Sequence, residues 1–228
     1  MSDLFDVLEA TWPPLSRQPV GPFVRRDGAG GGKRVSATLL EGAFSDEALN
    51  ALGPEPLFQL RPGQRLLDEA LAARGYEVVD PTVLMEAPVE VLAEAPRPVF
   101  LLGCFPPLAI QRGLWAKAHT GPERLAVMER ACTPRQSFVI RHNDSPAGVG
   151  FVAIHKGTAM LHALHVEPQF RRQGVARDAV RGMAHWAAQN GATRFALAVT
   201  QGNVGARALY SELGMVEVGE YHYRERRP

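Results

Sequence analysis

The sequence predicts a mixed α/β fold, an α+β arrangement around one mixed sheet, and three observations carry that expectation. Segments 137–141, 148–155 and 159–166 are successive extended runs parted by Asn143-Asp-Ser-Pro146 and Lys156-Gly157, the pattern of an antiparallel meander. The stretch 174–189 then sets Val175, Ala179, Met183 and Ala187 on one helical stripe with Val180 and Ala184 beside it, while Arg177, Asp178, Arg181 and His185 face out. Segment 194–200 is almost continuously apolar, as a centre strand covered on both faces must be.

The remaining elements follow from local signals. Asn190-Gly191 stops the long helix, Asn203 caps a last helix that Gly214 ends, and 215–224 returns as a strand. The tail 224–228 is expected to be exposed. Ahead of the meander, 99–102 reads as a short strand, and 108–118 and 122–132 as helices, the second with Pro122 in its first turn. Earlier still, two extended stretches within 23–40 flank Asp27-Gly-Ala-Gly-Gly-Gly-Lys33, which predicts a hairpin with a solvated, flexible tip. That tip is no nucleotide cradle: GxxxxGK[ST] needs Gly where Asp27 stands and Ser or Thr where Arg34 stands. Ser45 caps a helix over 46–52, a strand follows at 57–60, and Leu66, Leu67, Ala70, Leu71 and Ala73 have helical spacing up to Gly75. A strand over 76–86 comes next. Pro88, Pro96 and Pro98 punctuate 87–98, where a boundary is placed between units 1–92 and 99–228. Laying Gly75 on Gly214 also reveals a weak repeat of helix, glycine stop and strand.

Composition excludes several classes. The chain has 228 residues, 46% apolar and 21% charged, enough for one large domain or two small ones. With 22 glycines and 18 prolines it stays below the roughly 25–30% that marks low-complexity disorder. The 25 basic side chains nearly cancel the 24 acidic ones, which leaves no field to gather nucleic acid or an anionic membrane. Cys104 and Cys132 are too few for a disulfide framework and lack zinc-site spacing, so both read as small buried hydrophobes in a reducing cytoplasm, with no metal expected. The first residues are acidic where a signal peptide is basic, and 99–110, the longest apolar stretch, is too short to span a bilayer.

Chemistry concentrates in Leu161-His-Ala-Leu-His-Val-Glu-Pro-Gln-Phe-Arg-Arg-Gln-Gly-Val-Ala176. A strand turns at Pro168, and Arg171-x-x-Gly174-x-Ala176 opens a helix. A helix start offers unpaired amides and a partial positive charge, and small residues let a diphosphate approach them. With the later Asn203-Val-Gly-Ala-Arg-Ala-Leu-Tyr210-Ser-Glu-Leu-Gly-Met215, this segment resembles the GNAT superfamily of acyl-CoA-dependent N-acyltransferases. The family's Gln/Arg-x-x-Gly-x-Gly/Ala loop matches Arg171, Gly174 and Ala176, and its Val-x-Pro matches Val166 and Pro168. Its later motif matches Asn203, Ala206, Leu209, Tyr210, Leu213 and Gly214, with Met215 in place of an aromatic. The resemblance covers about 108–228.

That resemblance implies acetyl-CoA as cosubstrate, its pyrophosphate on the amides of Arg172, Gln173, Gly174, Val175 and Ala176 beside Arg171. The pantetheine arm lies along Leu164, His165 and Val166, where the strand splays from 194–200, with Asn203 and Ala206 nearby. An amine then attacks the thioester directly. Tyr210 matches the residue that protonates the departing sulfur, its plain alternative being a core tyrosine. His162 is the candidate base, standing where certain arylalkylamine acetyltransferases carry a histidine; a structural histidine and a water-relayed proton are the alternatives. Small amines, amino acids, antibiotics and protein termini all remain open as acceptors, and the chain is expected as monomer or homodimer. A non-catalytic acyl-CoA-binding or regulatory module is the rival reading. The first half resembles, more faintly, a degenerate copy of the same fold, through Lys33-Arg34-Val-Ser36 and the run ending Arg74-Gly-Tyr76. It lacks the loop and has leucine, Leu71, at the tyrosine position, so no second CoA site is expected there.

Overall fold

The computed structural model describes residues 4–226. Its elements are α1 (Leu4–Thr11), β1 (Ser16–Val20), β2 (Phe23–Asp27), α2 (Lys33–Ser36), β3 (Leu39–Leu40), α3 (Asp46–Leu52), β4 (Leu57–Leu60), α4 (Arg65–Ala73), β5 (Glu77–Pro88) and α5 (Val89–Leu92). They continue with β6 (Leu101–Cys104), α6 (Ala109–Lys117), α7 (Pro122–Arg130), β7 (Arg135–His142), β8 (Ser145–His155), β9 (Thr158–Val166), α8 (Val175–Gln189), β10 (Arg194–Thr200), α9 (Val204–Glu212) and β11 (Val216–Glu225).

Eight strands form one mixed sheet in the order β4-β11-β5-β10-β9-β8-β7-β6, and β1-β2-β3 form a small antiparallel one. The meander is β7-β8-β9, and β10 adds to β9 in parallel. As its apolar run requires, β10 is covered twice: Phe195, Leu197 and Val199 meet the core under α8 and α9, while Ala196 meets the core under α1. The α8 stripe lies against β8 so closely that a Cβ on Gly150 would meet Met183 Cε at 2.4 Å.

The two segments 1–92 and 99–228 share this sheet. In β4-α4-β5 and in β10-α9-β11, two parallel strands flank one antiparallel strand of the other unit. Gln64 and Asn203 occupy the N-caps of α4 and α9, buried Leu71 and Tyr210 stand at matching places along them, and Gly75 and Gly214 leave them at φ 80° and 91°. The two stretches that the sequence repeat aligned thus share a local form of helix, glycine stop and strand. Pro81, which has no amide to donate, sits in β5 where the pairing skips from Tyr221↔Thr82 to Tyr223↔Val79.

Three expectations need correction. β2 and β3 do pair, but the segment between them is not a freely solvated tip: α2 follows at once, and Gly28 and Gly31 are buried while Ala29 and Gly30 are exposed. A Cβ on Gly31 would meet Val127 of α7 at 2.6 Å, so the segment is packed under that helix. Ahead of it, segment 4–20 holds α1 and β1. The cysteines are half-buried, Cys132 Sγ lying 3.1 Å from the Ile154 carbonyl. Finally, the strand expected to end at Arg224 runs on through Glu225, so no exposed tail begins at Arg224, which bonds Asp68 at 2.7 Å and the Tyr76 carbonyl at 2.9 Å, while 227–228 lie outside the described residues.

Candidate functional site

β9 and β10 pair only from Thr158↔Arg194 to Leu161↔Leu197. Beyond Leu161 the strand bulges: between His162, opposite Phe151, and His165, opposite Val149, β9 carries one residue more than β8, and Ala163 takes φ 49°. Trp115 of α6 donates its Nε1–H to the freed Ala163 carbonyl at 2.8 Å. The two parallel strands therefore separate, and a cavity of about 660 Å³ opens where they part.

The loop reaches this cavity through tight backbone. Pro168–Phe170 form a turn of 3₁₀ helix, Arg172 and Gly174 take φ 61° and 79°, and α8 starts at Val175. The first α8 backbone bond runs from Asp178 N–H to the Gly174 carbonyl, so the preceding amides are those a helix start leaves free. Left-handed residues so close to a helix start form a concave run of amides suited to an anion.

Most of the expected residues meet here. Leu164, His165, Val166, Arg171, Arg172, Gly174, Val175, Ala176, Asn203, Ala206 and Tyr210 all line the cavity. Asn203 caps α9, its side-chain oxygen accepting from Ala206 N–H at 3.2 Å. Arg171 spends Nε on the Val166 carbonyl at 3.0 Å, which pins the loop to the end of β9. Tyr210 is 8% exposed, and burial pushes its hydroxyl up to about 12, so it stays protonated at neutral pH.

Two expected residues stand apart. The Gln173 side chain turns to the Gln169 carbonyl at 2.8 Å and does not line the cavity. His162 does not line it either; it is 3% exposed and stacks on Trp12 with ring centroids 4.9 Å apart. Its Nε2 lies 2.9 Å from Thr11 Oγ1 and its Nδ1 3.2 Å from an Arg34 nitrogen. Burial first, and Arg34 second, hold this imidazole well below its usual pKa.

Sequence reasoning passed over other lining residues. Phe170, Gly205 and Leu209 fall inside the matched segments, and Arg177 on α8 pairs with Glu212 on α9 at 2.7 Å across the mouth. The helical spacing of Glu212 from Leu209 was a signal for it. Among the described residues no group of three His, Cys, Asp or Glu is placed to hold a metal ion, and no helix is long and apolar enough to cross a membrane.

Comparison with known proteins agrees with this geometry. The chain is 27% identical to the uncharacterized N-acetyltransferase YobR of Bacillus subtilis (strain 168) over 241 residues, 96% of this chain and 95% of YobR. A GCN5-related N-acetyltransferase from Kribbella flavida shares the fold, with a TM-score of 0.72 at 18% identity over 100% of this chain and 97% of that one. A tandem GNAT protein from the clavulanic acid biosynthesis pathway, solved without AcCoA, covers 100% of this chain and 89% of its own at a TM-score of 0.58 and 12% identity. The sequence pattern of the acetyltransferase (GNAT) family matches residues 107–215. That stretch, which holds the meander, the loop, α8, β10 and α9, is where this chain is similar to the GNAT family of acetyltransferases.

Proposed function

We propose that the chain transfers an acetyl group from acetyl-CoA to a primary amine by direct attack within a ternary complex. One observation carries the reading: a single cavity joins the amides of the loop to the buried Tyr210 hydroxyl at the point where β9 leaves β10. Its volume, about 660 Å³, lies in the usual range of small-molecule sites. In this reading the diphosphate rests on the amides of 172–176 and the pantetheine arm follows 164–166, bonding strand groups that β10 no longer engages. The amine nitrogen bonds to the thioester carbon, the C–S bond breaks, and Tyr210 gives its proton to the sulfur.

The first half serves as a partner unit without a CoA site. Its matching helix α4 carries Leu71 in place of a tyrosine, and 41–56 is too short for a helix like α8 with a flanking strand. Free thiols at Cys104 and Cys132 favour a reducing cytoplasm.

Thiol release from acetyl-CoA tests the reading, measured with a panel of arylalkylamines, polyamines, amino acids, aminoglycosides and peptide N-termini, alongside calorimetry with CoA. Turnover with any amine supports the enzyme. Tight CoA binding with no turnover across the panel favours a non-catalytic acyl-CoA-binding module.

A further inference from the structure

His162, the histidine that the family resemblance selects, has its lone pair taken, yet a second imidazole on the same strand lies inside the cavity. His165 lines the same space as Tyr210, and its side chain is 15% exposed. Its Nε2 lies 3.0 Å from Glu167 Oε1, while the other carboxylate oxygen takes a hydrogen bond from Lys117 Nζ of α6 at 3.1 Å. The bond from His165 holds the Glu167 carboxyl below its ordinary range against its own desolvation, and Lys117 adds to the effect. An ionised carboxylate only accepts hydrogen bonds, so Nε2 carries the hydrogen and the lone pair of the neutral ring is on Nδ1.

The bulge also settles the side of the strand. Leu164 and Val166 pack into the core beneath α8, whereas Glu167, two residues beyond His165, reaches α6 on the opposite face. We infer that His165, oriented by Glu167, is the base that takes the proton from the acceptor amine. The inference rests on the acyl-transfer reading above and deepens it.

The proton count closes. One proton leaves the ammonium through His165 Nδ1 to solvent, which frees the nitrogen lone pair to bond the thioester carbon. A second leaves the nitrogen in the tetrahedral intermediate, the C–S pair collapses onto sulfur, and sulfur takes the Tyr210 proton, which that second proton replaces. The charged groups around His165 are Glu167 on its own chain segment, Lys117 from α6, Arg171 and Arg172 from the loop, and the Arg177–Glu212 pair across the cavity.

The test compares wild type, His165→Gln and Glu167→Gln as full chains. Acetyl-CoA affinity is measured by calorimetry, and kcat/KM is followed from pH 5 to 9 with the panel amine that wild type turns over best. Imidazole nitrogen resonances are recorded with and without acetyl-CoA. Expected are acetyl-CoA binding by all three chains, a loss of roughly 10²–10⁴-fold in kcat for His165→Gln, and an acidic limb displaced to lower pH in Glu167→Gln. Acetyl-CoA should also shift the His165 resonances in an Nε2–H ring. Wild-type kcat and an unmoved limb in both variants, or His165 resonances indifferent to bound acetyl-CoA, overturn the base and leave acyl transfer standing. A wild type that neither binds acetyl-CoA nor acetylates any panel amine removes both readings.

Discussion

Arg34 donates to Nδ1 of His162 across 3.2 Å, joining the short helix α2 to the bulged strand β9. A guanidinium has no acceptor, so the imidazole lone pair is committed to it, and Nε2–H is left to donate to Thr11, whose hydroxyl in turn donates to the Val7 carbonyl at 2.7 Å. The Arg34 guanidinium also bonds Tyr221 and Tyr223. This chain of bonds ties α1 and α2 to β9. It gives His162 a structural occupation.

His162 should therefore appear in stability against pH. Its folded-state pKa is depressed, so below about 6.5 the unfolded chain binds a proton that the folded one refuses, and stability falls as pH drops. The slope from this group is at most about 1.4 kcal/mol per pH unit. Thermal melts at pH 7.5 and 5.5 should show a smaller acid loss in His162→Gln than in wild type, with the variant less stable at pH 7.5 by on the order of 1–3 kcal/mol. Equal acid sensitivity in both would remove the buried neutral imidazole.

Gly174 tests the loop. Glutamate there puts a negative charge where the diphosphate must rest, and calorimetry should show at least a tenfold weaker CoA, about 1.4 kcal/mol. Because Gly174 holds φ 79°, any side chain also adds strain, although nothing lies within 4 Å of its Cβ position. Gly174→Ala is the matched control, costing about 1–2 kcal/mol of stability from its left-handed backbone. Should both variants bind CoA alike, charge at this site would be irrelevant and the pyrophosphate would lie elsewhere.

For Tyr210, substitution by Phe keeps the buried ring and removes one hydroxyl. Steady-state kinetics should show kcat lower by roughly 10²–10⁴-fold with the KM for acetyl-CoA little changed. With its pKa near 12, the phenol contributes no basic limb to the rate profile below about pH 10. Full activity in Tyr210→Phe would reduce the residue to packing.

Stoichiometry separates the two units. Titration of purified chain with CoA should saturate at one equivalent, since the 171–176 loop and Tyr210 both lie in the second half of the chain and the first half has no such loop. Saturation at two would assign a site to the first.

What was legible in the sequence was local. Gly174, Asn203, Tyr210 and Gly214 stand at helix ends or at fixed turns from them, so their spacing carried the cavity's outline. Alternation placed His162 and His165 on β9 but said nothing of Arg34 or Lys117, which arrive from other elements and divide a structural role from a chemical one. The tail was set to begin at Arg224, the last residue of the expected strand, because its partners, Asp68 and Tyr76, lie far back in the chain. The helix at Leu4–Thr11 did carry a signal in the buried spacing Leu4, Val7, Leu8 and Thr11. The interleaving of β5 between β10 and β11 left no local trace at all, because strand order is decided by pairing across the whole chain.

That interleaving bears on how the protein is born. On a ribosome adding about 5–20 residues per second, β4 and β5 emerge early. The slot between them belongs to β11, whose residues 216–225 are translated more than a hundred positions later. Until then two strand edges wait uncovered, and the sheet closes only when the newest strand slides between two of the oldest. Such long-range pairing is slow to form. Nascent chains released before residue 216 should carry those open edges and be the natural clients of chaperones.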